Sequence, residues 1–133
     1  MKLRLAFRIV VWTGILLNWS FAAWAFARPA QLLDALQIGP LGDGVWLFNY
    51  SVLLAILSCF YIPAAKDPDR YRTSAWLMIV ARLVPATTFF VGVSRHFMPS
   101  GFIKLGIADL TIGLLVLVLL RKIPSSALRT SMP

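Results

Sequence analysis

Two residues of opposite charge lie inside otherwise apolar segments of this sequence. Arg82 lies within residues 74–93 and Asp109 within residues 102–120, and each segment is long enough to cross the hydrocarbon core of a bilayer. One charge at mid-membrane costs about 2.5 to 3.5 kcal/mol on insertion scales. Because Asp109 is the only acidic residue in the apolar segments and the chain has no Glu, the sequence predicts that Asp109 is the partner of Arg82.

A carboxylate that faces a guanidinium inside a membrane can have a structural or a binding role. In the structural interpretation, the pair holds two helices in register while Asn18 and Asn49 form hydrogen bonds between helices. In the binding interpretation, the four side chains line a pocket for a ligand or a substrate, and Asp109 can also carry a proton. Counting residues from the ends of the segments places these four side chains at similar depths in the membrane, so they form our candidate polar cluster.

The elements that carry these residues are four apolar segments. Hydrophobic residues make up 59% of the chain and the mean hydropathy is +0.80, which is typical of membrane proteins. The segments are residues 7–26, 45–62, 74–93 and 102–120. The sequence therefore predicts an all-α fold, an integral-membrane four-helix bundle with short loops that forms a single domain over residues 1–133.

The net charge of +8 is explained by topology rather than by nucleic acid, for which we predict no binding. Nine of the thirteen Lys and Arg residues precede the first segment, separate the second from the third, or follow the fourth: Lys2, Arg4, Arg8, Lys66, Arg70, Arg72, Arg121, Lys122 and Arg129. The positive-inside rule then places both termini in the cytoplasm. We expect a multi-pass protein of the bacterial inner membrane.

Two features near the first segment have alternative interpretations. The N-terminus resembles a secretory signal peptide with an A-x-A site at residues 25–27, but its apolar run is long and rich in Trp, which favours a retained helix. Residues 30–38 are predicted to form a short interfacial helix, or else a loop packed over the bundle. Asp43 is interpreted as a helix cap for the second segment.

Small residues and one proline predict where helices approach each other. Gly106, Asp109 and Gly113 share one face of the fourth segment, and Gly14 lies with Asn18 on a small-residue face of the first. Pro85, three residues after Arg82, removes one backbone hydrogen bond beside the charge. We expect these faces to point toward the interior.

Cysteine and histidine are each represented once, by Cys59 and His96. One cysteine forms no internal disulfide, and one histidine excludes a bis-histidine haem or a histidine-rich metal site within a single chain. We therefore predict neither metal nor intrinsic haem. We assign no catalytic residue, because no pair of nucleophile and base is visible.

In size, in the layout of its four segments and in its short loops, the chain resembles small bacterial membrane families such as the DoxX-like proteins. Some of these serve as membrane subunits of quinone-linked oxidoreductases. The resemblance covers the four segments and depends on layout, not on a specific motif. Small multidrug-resistance transporters have a similar length and segment number, but they depend on a glutamate in the first helix that this sequence lacks.

Together these features predict a non-catalytic membrane protein, an accessory or anchoring subunit whose polar pocket accommodates a quinone, a lipid or a similar amphipathic molecule. Its expected partners are the lipid bilayer, another membrane subunit, or further copies of the same chain. The alternative function is a small proton-coupled transporter that uses Asp109 and Arg82. A lipid-modifying enzyme is the third hypothesis.

Overall fold

The structure, a computed structural model, describes residues 2–40, 42 and 44–124. Within these ranges every regular element is an α-helix, which confirms the all-α prediction. The helices are α1 (Lys2–Ala27), α2 (Pro29–Leu36), α3 (Val45–Cys59), α4 (Ile62–Lys66), α5 (Arg72–Ser94) and α6 (Phe102–Lys122). Asp43, Arg129 and the rest of the tail from residue 125 lie outside the described residues.

Three helices, α1, α5 and α6, are long and apolar enough to cross a membrane, judged by length and composition. They correspond to the predicted segments 7–26, 74–93 and 102–120, and each continues a few residues beyond the apolar run. α1 contributes Phe7, Val11 and Ile15 to the buried core, so the first helix is part of the packed structure.

The second predicted segment, residues 45–62, does not form one helix. α3 ends at Cys59 after 15 residues, and the amides of Phe60 and Tyr61 donate to carbonyls three residues earlier before α4 begins. Pro63 accounts for this ending, because proline has no N–H to donate to the carbonyl of Cys59. At about 1.5 Å per residue, α3 alone is about 22 Å long, shorter than a hydrocarbon core of roughly 30 Å.

The packing of the helices centres on α1 and α6. α1 packs against both α3 and α6, while α5 packs along α6, and the short α4 contacts α1 and α5. Within the described ranges, α3 makes no extensive helix-to-helix contact with α5 or α6. α3 is therefore held chiefly by α1, and direct helix packing does not fill the space between α3 and α5.

Buried apolar side chains form two separate clusters. The first, which we call the large cluster, joins α1, α4, α5 and α6 and includes Phe7, Ile15, Tyr61, Met78, Val116 and Leu120. The second, which we call the α2 cluster, consists of Ala25, Leu32, Leu33, Ile38 and Leu47. The polar candidate residues lie between these clusters along the helices.

α2 confirms that a short helix forms within residues 30–38, whereas its position at a membrane surface stays a prediction. Leu32 and Leu33 are buried against α1 and α3, so the helix covers one end of the helix assembly. The chain leaves α2 through Gln37 in the left-handed conformation, and Ile38 donates its amide to the carbonyl of Leu33. This is the Schellman pattern, and it turns Ile38 back onto the buried leucine.

At the opposite end, three arginines tie the helix ends together. Arg4 pairs with Asp69 at 2.7 Å, and Arg8 Nε donates to the carbonyl of Ala65 at 2.9 Å. Arg72 donates to two carbonyls at the end of α6, those of Leu120 and Ile123, each at 3.2 Å; the Leu120 carbonyl also accepts the amide of Ile123. The start of α1, the α4–α5 turn and the end of α6 therefore meet at what we call the charged end.

Candidate functional site

Arg82 is the residue at which three helices meet. It lies on α5 with 5% of its surface exposed, and its Nη1 contacts Asp109 Oδ1 on α6 at 2.5 Å. Its Nη2 donates a hydrogen bond of 2.8 Å to the carbonyl oxygen of Gly14 on α1. The predicted pairing of Arg82 with Asp109 is present as a buried ion pair, and α1 supplies a third contact that the sequence did not indicate.

Glycines make this close approach possible. A Cβ atom on Gly14 would lie 2.9 Å from Met78 Cε and 3.2 Å from Arg82 Nη2. A Cβ atom on Gly113 would lie 3.1 Å from Arg82 Cβ, and one on Gly106 would lie 3.2 Å from the ring of Phe90. Each glycine faces another helix, so all three lie on packed faces, as we expected.

One donor of Arg82 is left without a partner. Its Nε is buried and makes no hydrogen bond with any described residue. A buried polar group without a partner costs about 1 to 3 kcal/mol, and more when it is charged. The arginine is therefore held through its two terminal nitrogens, while its buried Nε donates to none of the described residues.

Asn18 joins the site through a partner that the sequence analysis missed. Its Nδ2 donates to Ser58 Oγ on α3 at 2.8 Å, and Ser58 Oγ in turn donates to the carbonyl of Leu54 at 2.7 Å. Both polar side chains are buried. Ser58 recurs with Ser51 and Ala55 at a spacing of small residues that is typical of helix packing, and this pattern does not indicate a polar contact.

Two adjoining cavities lie beside this network. Their volumes are about 160 and 140 Å³. They share five lining residues and we call them together the cleft: Asn18, Tyr50, Leu54, Arg82 and Asp109. Tyr50 is half-buried, and its hydroxyl makes no hydrogen bond with the described residues, so the cleft has a polar floor and a phenol at its side.

Apart from Tyr61, the remaining walls of the cleft are apolar, and each of the two cavities reaches the protein surface. The first cavity extends to Leu17, which is 51% exposed, and the second to Leu53, which is 64% exposed. Pro85 and Ala81 line the second cavity from α5, which continues through the proline. The cleft therefore opens sideways, between helices.

Along the helix axes the cleft is covered at both ends. Phe21 and Leu105 line the first cavity and pack against the α2 cluster. Tyr61 lines the second cavity and belongs to the large cluster. A molecule that reaches Arg82 without moving a helix must therefore enter from the side.

Asn49 does not join the other three candidate residues. It is exposed, and it makes no hydrogen bond with the described residues, while the next residue, Tyr50, faces the cleft. Successive residues on a helix point about 100° apart, so an error of about 100° in the assumed rotation of α3 exchanges these two side chains. The prediction that Asn49 converges with the cluster is therefore wrong, and Tyr50 takes its place.

No family model, curated protein or solved structure matches this chain. The resemblance to DoxX-like proteins therefore stays a prediction from layout. Within the described ranges no group of three or more His, Cys, Asp or Glu side chains could hold a metal ion.

Proposed function

We propose that this chain is an integral-membrane protein whose cleft binds a neutral amphipathic molecule, of which a quinone is the best example. The observation that carries the proposal is the buried and unpartnered Nε of Arg82 beside an apolar cleft. A ligand that accepts a hydrogen bond there would remove the cost of the unpaired donor.

The membrane location rests on three long apolar helices and on the apolar surfaces they expose. Leu16, Val80 and Leu115 are among many large hydrophobic residues that are about half exposed. The second crossing would use α3, the turn at Phe60 and α4 in succession, since α3 alone is short. Four crossings with the charged end in the cytoplasm would agree with the positive-inside rule, and both termini would then be cytoplasmic.

The charges in the cleft favour a neutral ligand over an ionic one. Arg82 and Asp109 compensate each other, and a further charge in this apolar setting would need its own counter-ion. The groups left over are the Nε donor, the Asn18 Oδ1 acceptor and the hydroxyls of Tyr50 and Tyr61. These suit a carbonyl or hydroxyl head group, while the leucines around them suit a ring and the start of an apolar tail.

The cavity volumes and openings indicate how such a molecule would lie. Each cavity has room for a small ring system. A long tail would have to leave past Leu17 or Leu53 into the surrounding lipid. The lateral openings are where a ligand dissolved in the bilayer would arrive. The covered ends argue for binding over transport, because a transport cycle would have to move α2 or the large cluster.

Ligand-dependent thermal stability in detergent tests the proposal, with decylubiquinone as the probe. We expect decylubiquinone to raise the unfolding temperature of the wild type and Leu53→Trp to remove most of that shift by filling the opening. Ile56→Trp is the matched control, because Ile56 is 52% exposed on the same helix and does not line the cleft. Equal shifts in the two tryptophan variants would contradict binding in the cleft.

Arg82→Lys tests the chemistry of recognition more directly. Lysine keeps a positive charge for Asp109 but has no donor at the position of Nε. We expect weaker decylubiquinone binding together with a folded protein. Undiminished binding by this variant would refute the role of Nε.

The proposed accessory role adds a partner subunit to this picture and is tested separately. Co-purification of one membrane protein at fixed stoichiometry from the native membrane would support it. Proton-driven uptake of a substrate by proteoliposomes that contain only this chain would instead support the transporter with Asp109 as its carboxylate.

A further inference from the structure

We propose that the charged end holds a second site, specific for an anionic phospholipid with a hydroxylated head group such as phosphatidylglycerol. Two cavities of about 630 and 550 Å³ lie there, and both are lined by Arg4 and Arg8. None of the residues of the cleft takes part, although the proposal shares the membrane location of the proposed function.

The first of these cavities combines positive charge with exposed apolar side chains. Arg4, Arg8 and Lys122 line it together with Leu3 and Leu5, which are 43% and 59% exposed. This combination matches a phospholipid, whose phosphate and acyl chains are joined by a short glycerol. Ile9, 56% exposed and one turn beyond Leu5, continues the apolar path along α1.

The cations of this region are only partly neutralised by the protein. Five line the two cavities, Arg4, Arg8, Lys66, Arg70 and Lys122, against the two acids Asp67 and Asp69. Asp67 Oδ1 accepts the backbone amides of residues 69 and 70, so it is occupied in shaping the turn. The excess positive charge is therefore available to a ligand.

Two cations are positioned to bind a phosphate. Arg8 is oriented by the hydrogen bond from its Nε to the carbonyl of Ala65, which leaves Nη1 and Nη2 without partners among the described residues. Lys122 has no ion pair or hydrogen bond there either. An arginine fork with a nearby lysine is well suited to a phosphodiester.

The second cavity indicates which anionic phospholipid would bind most tightly. Asp69 uses Oδ2 for its contact with Arg4, while its Oδ1 is buried without a partner and accepts no hydrogen bond. That acceptor would repel a second phosphate but would accept a hydrogen bond from a head-group hydroxyl. A phosphate at Arg8 with a hydroxylated head group that reaches Asp69 would satisfy both groups.

General attraction between basic residues and an anionic leaflet offers a simpler account of the same charges. That account predicts that any exposed cation contributes equally and that the head group does not matter. The site proposed here requires Arg8 and Lys122 in particular. It also requires phosphatidylglycerol to bind more tightly than phosphatidic acid, which carries a phosphate but no head-group hydroxyl.

Native mass spectrometry of the detergent-solubilised full chain, titrated with lipid, tests the proposal. We expect one tight phosphatidylglycerol per chain, with weaker binding of phosphatidic acid and phosphatidylcholine. Lys122→Gln should weaken phosphatidylglycerol binding about fivefold, as should Arg8→Gln, since each cation near the surface contributes about 1 kcal/mol. Arg95→Gln is the control, because it removes an exposed cation from the opposite end.

Three results would overturn the proposal. Equal weakening by Arg95→Gln would indicate general attraction, and equal affinity for phosphatidic acid would remove the role of Asp69. Full competition by millimolar glycerol 3-phosphate would assign the site to a soluble phosphate ester. Lys122 lies at the exposed end of α6, so its variant keeps the test valid if Arg8→Gln does not fold. Lys122→Gln should still bind decylubiquinone, because Lys122 does not line the cleft. This measurement therefore tests the cleft independently of the lipid site.

Discussion

Neutralising Asp109 should destabilise the protein more than neutralising both members of its ion pair. In Asp109→Leu, the guanidinium of Arg82 keeps only its hydrogen bond to the carbonyl of Gly14. Since a guanidinium stays protonated, the variant leaves a full charge in an apolar interior. Removal of one partner from a buried pair costs about 3 to 5 kcal/mol, and we expect about 3 here because one contact survives.

Arg82→Met should be less damaging, at about 2 kcal/mol, because a carboxyl group left alone can become neutral by taking up a proton. The double variant Arg82→Met with Asp109→Leu places two apolar side chains of suitable length where the pair was. Such replacements are often neutral or stabilising, and allowing for imperfect packing we expect a cost of about 2 kcal/mol. Independent effects would instead add to about 5 kcal/mol.

Unfolding by sodium dodecyl sulfate in mixed micelles, followed by circular dichroism, measures these free energies. Asp34→Leu is the matched control, because Asp34 is an exposed acid on α2 whose loss should change stability by less than about 0.5 kcal/mol. A double variant whose loss equals the sum of the two single losses, within about 0.5 kcal/mol, would refute the reasoning. It would show that the residues do not interact in the folded protein.

Three further predictions follow from the packing and the charge distribution. Gly113→Leu should lower stability by about 2 to 3 kcal/mol, because its Cβ alone would lie 2.9 Å from a leucine of α5, whereas Leu114→Ala on the exposed face should cost little. A parental unfolding midpoint for Gly113→Leu would contradict this. Gly101→Ala should displace α2, since a Cβ there would overlap the carbonyl oxygen of Leu36, and faster proteolysis of residues 36–44 than in Ser100→Ala would show it. Reporter fusions at Gly42 and at the C-terminus should report opposite compartments; agreement between them would contradict the proposed topology.

The lengths and positions of the long helices could be predicted from the sequence. In lipid, a long apolar run has to satisfy every backbone group internally, and a helix does so within a single segment, so α1, α5 and α6 follow from composition and length. The partnership of Arg82 with Asp109 also followed from the sequence, because no other apolar segment contains an acid. The early end of α3 could have been predicted from Pro63 but was not.

Only the tertiary structure decided which side chains of α3 face the site. That helix is apolar on nearly every side, so its hydropathy gives no strong signal for its rotation, and Asn49 was chosen for its amide alone. The buried small residues Ser51 and Ser58 mark the packed side, and Asn49 lies opposite Ser58 on the helix. The packing of α3 on α1, through Ser58 and Asn18, fixes the rotation that turns Tyr50 inward. The cleft likewise follows from α3 packing on α1 without closing on α5. Its existence depends on distances between helices that are remote in the sequence, and no local pattern of residues determines those distances.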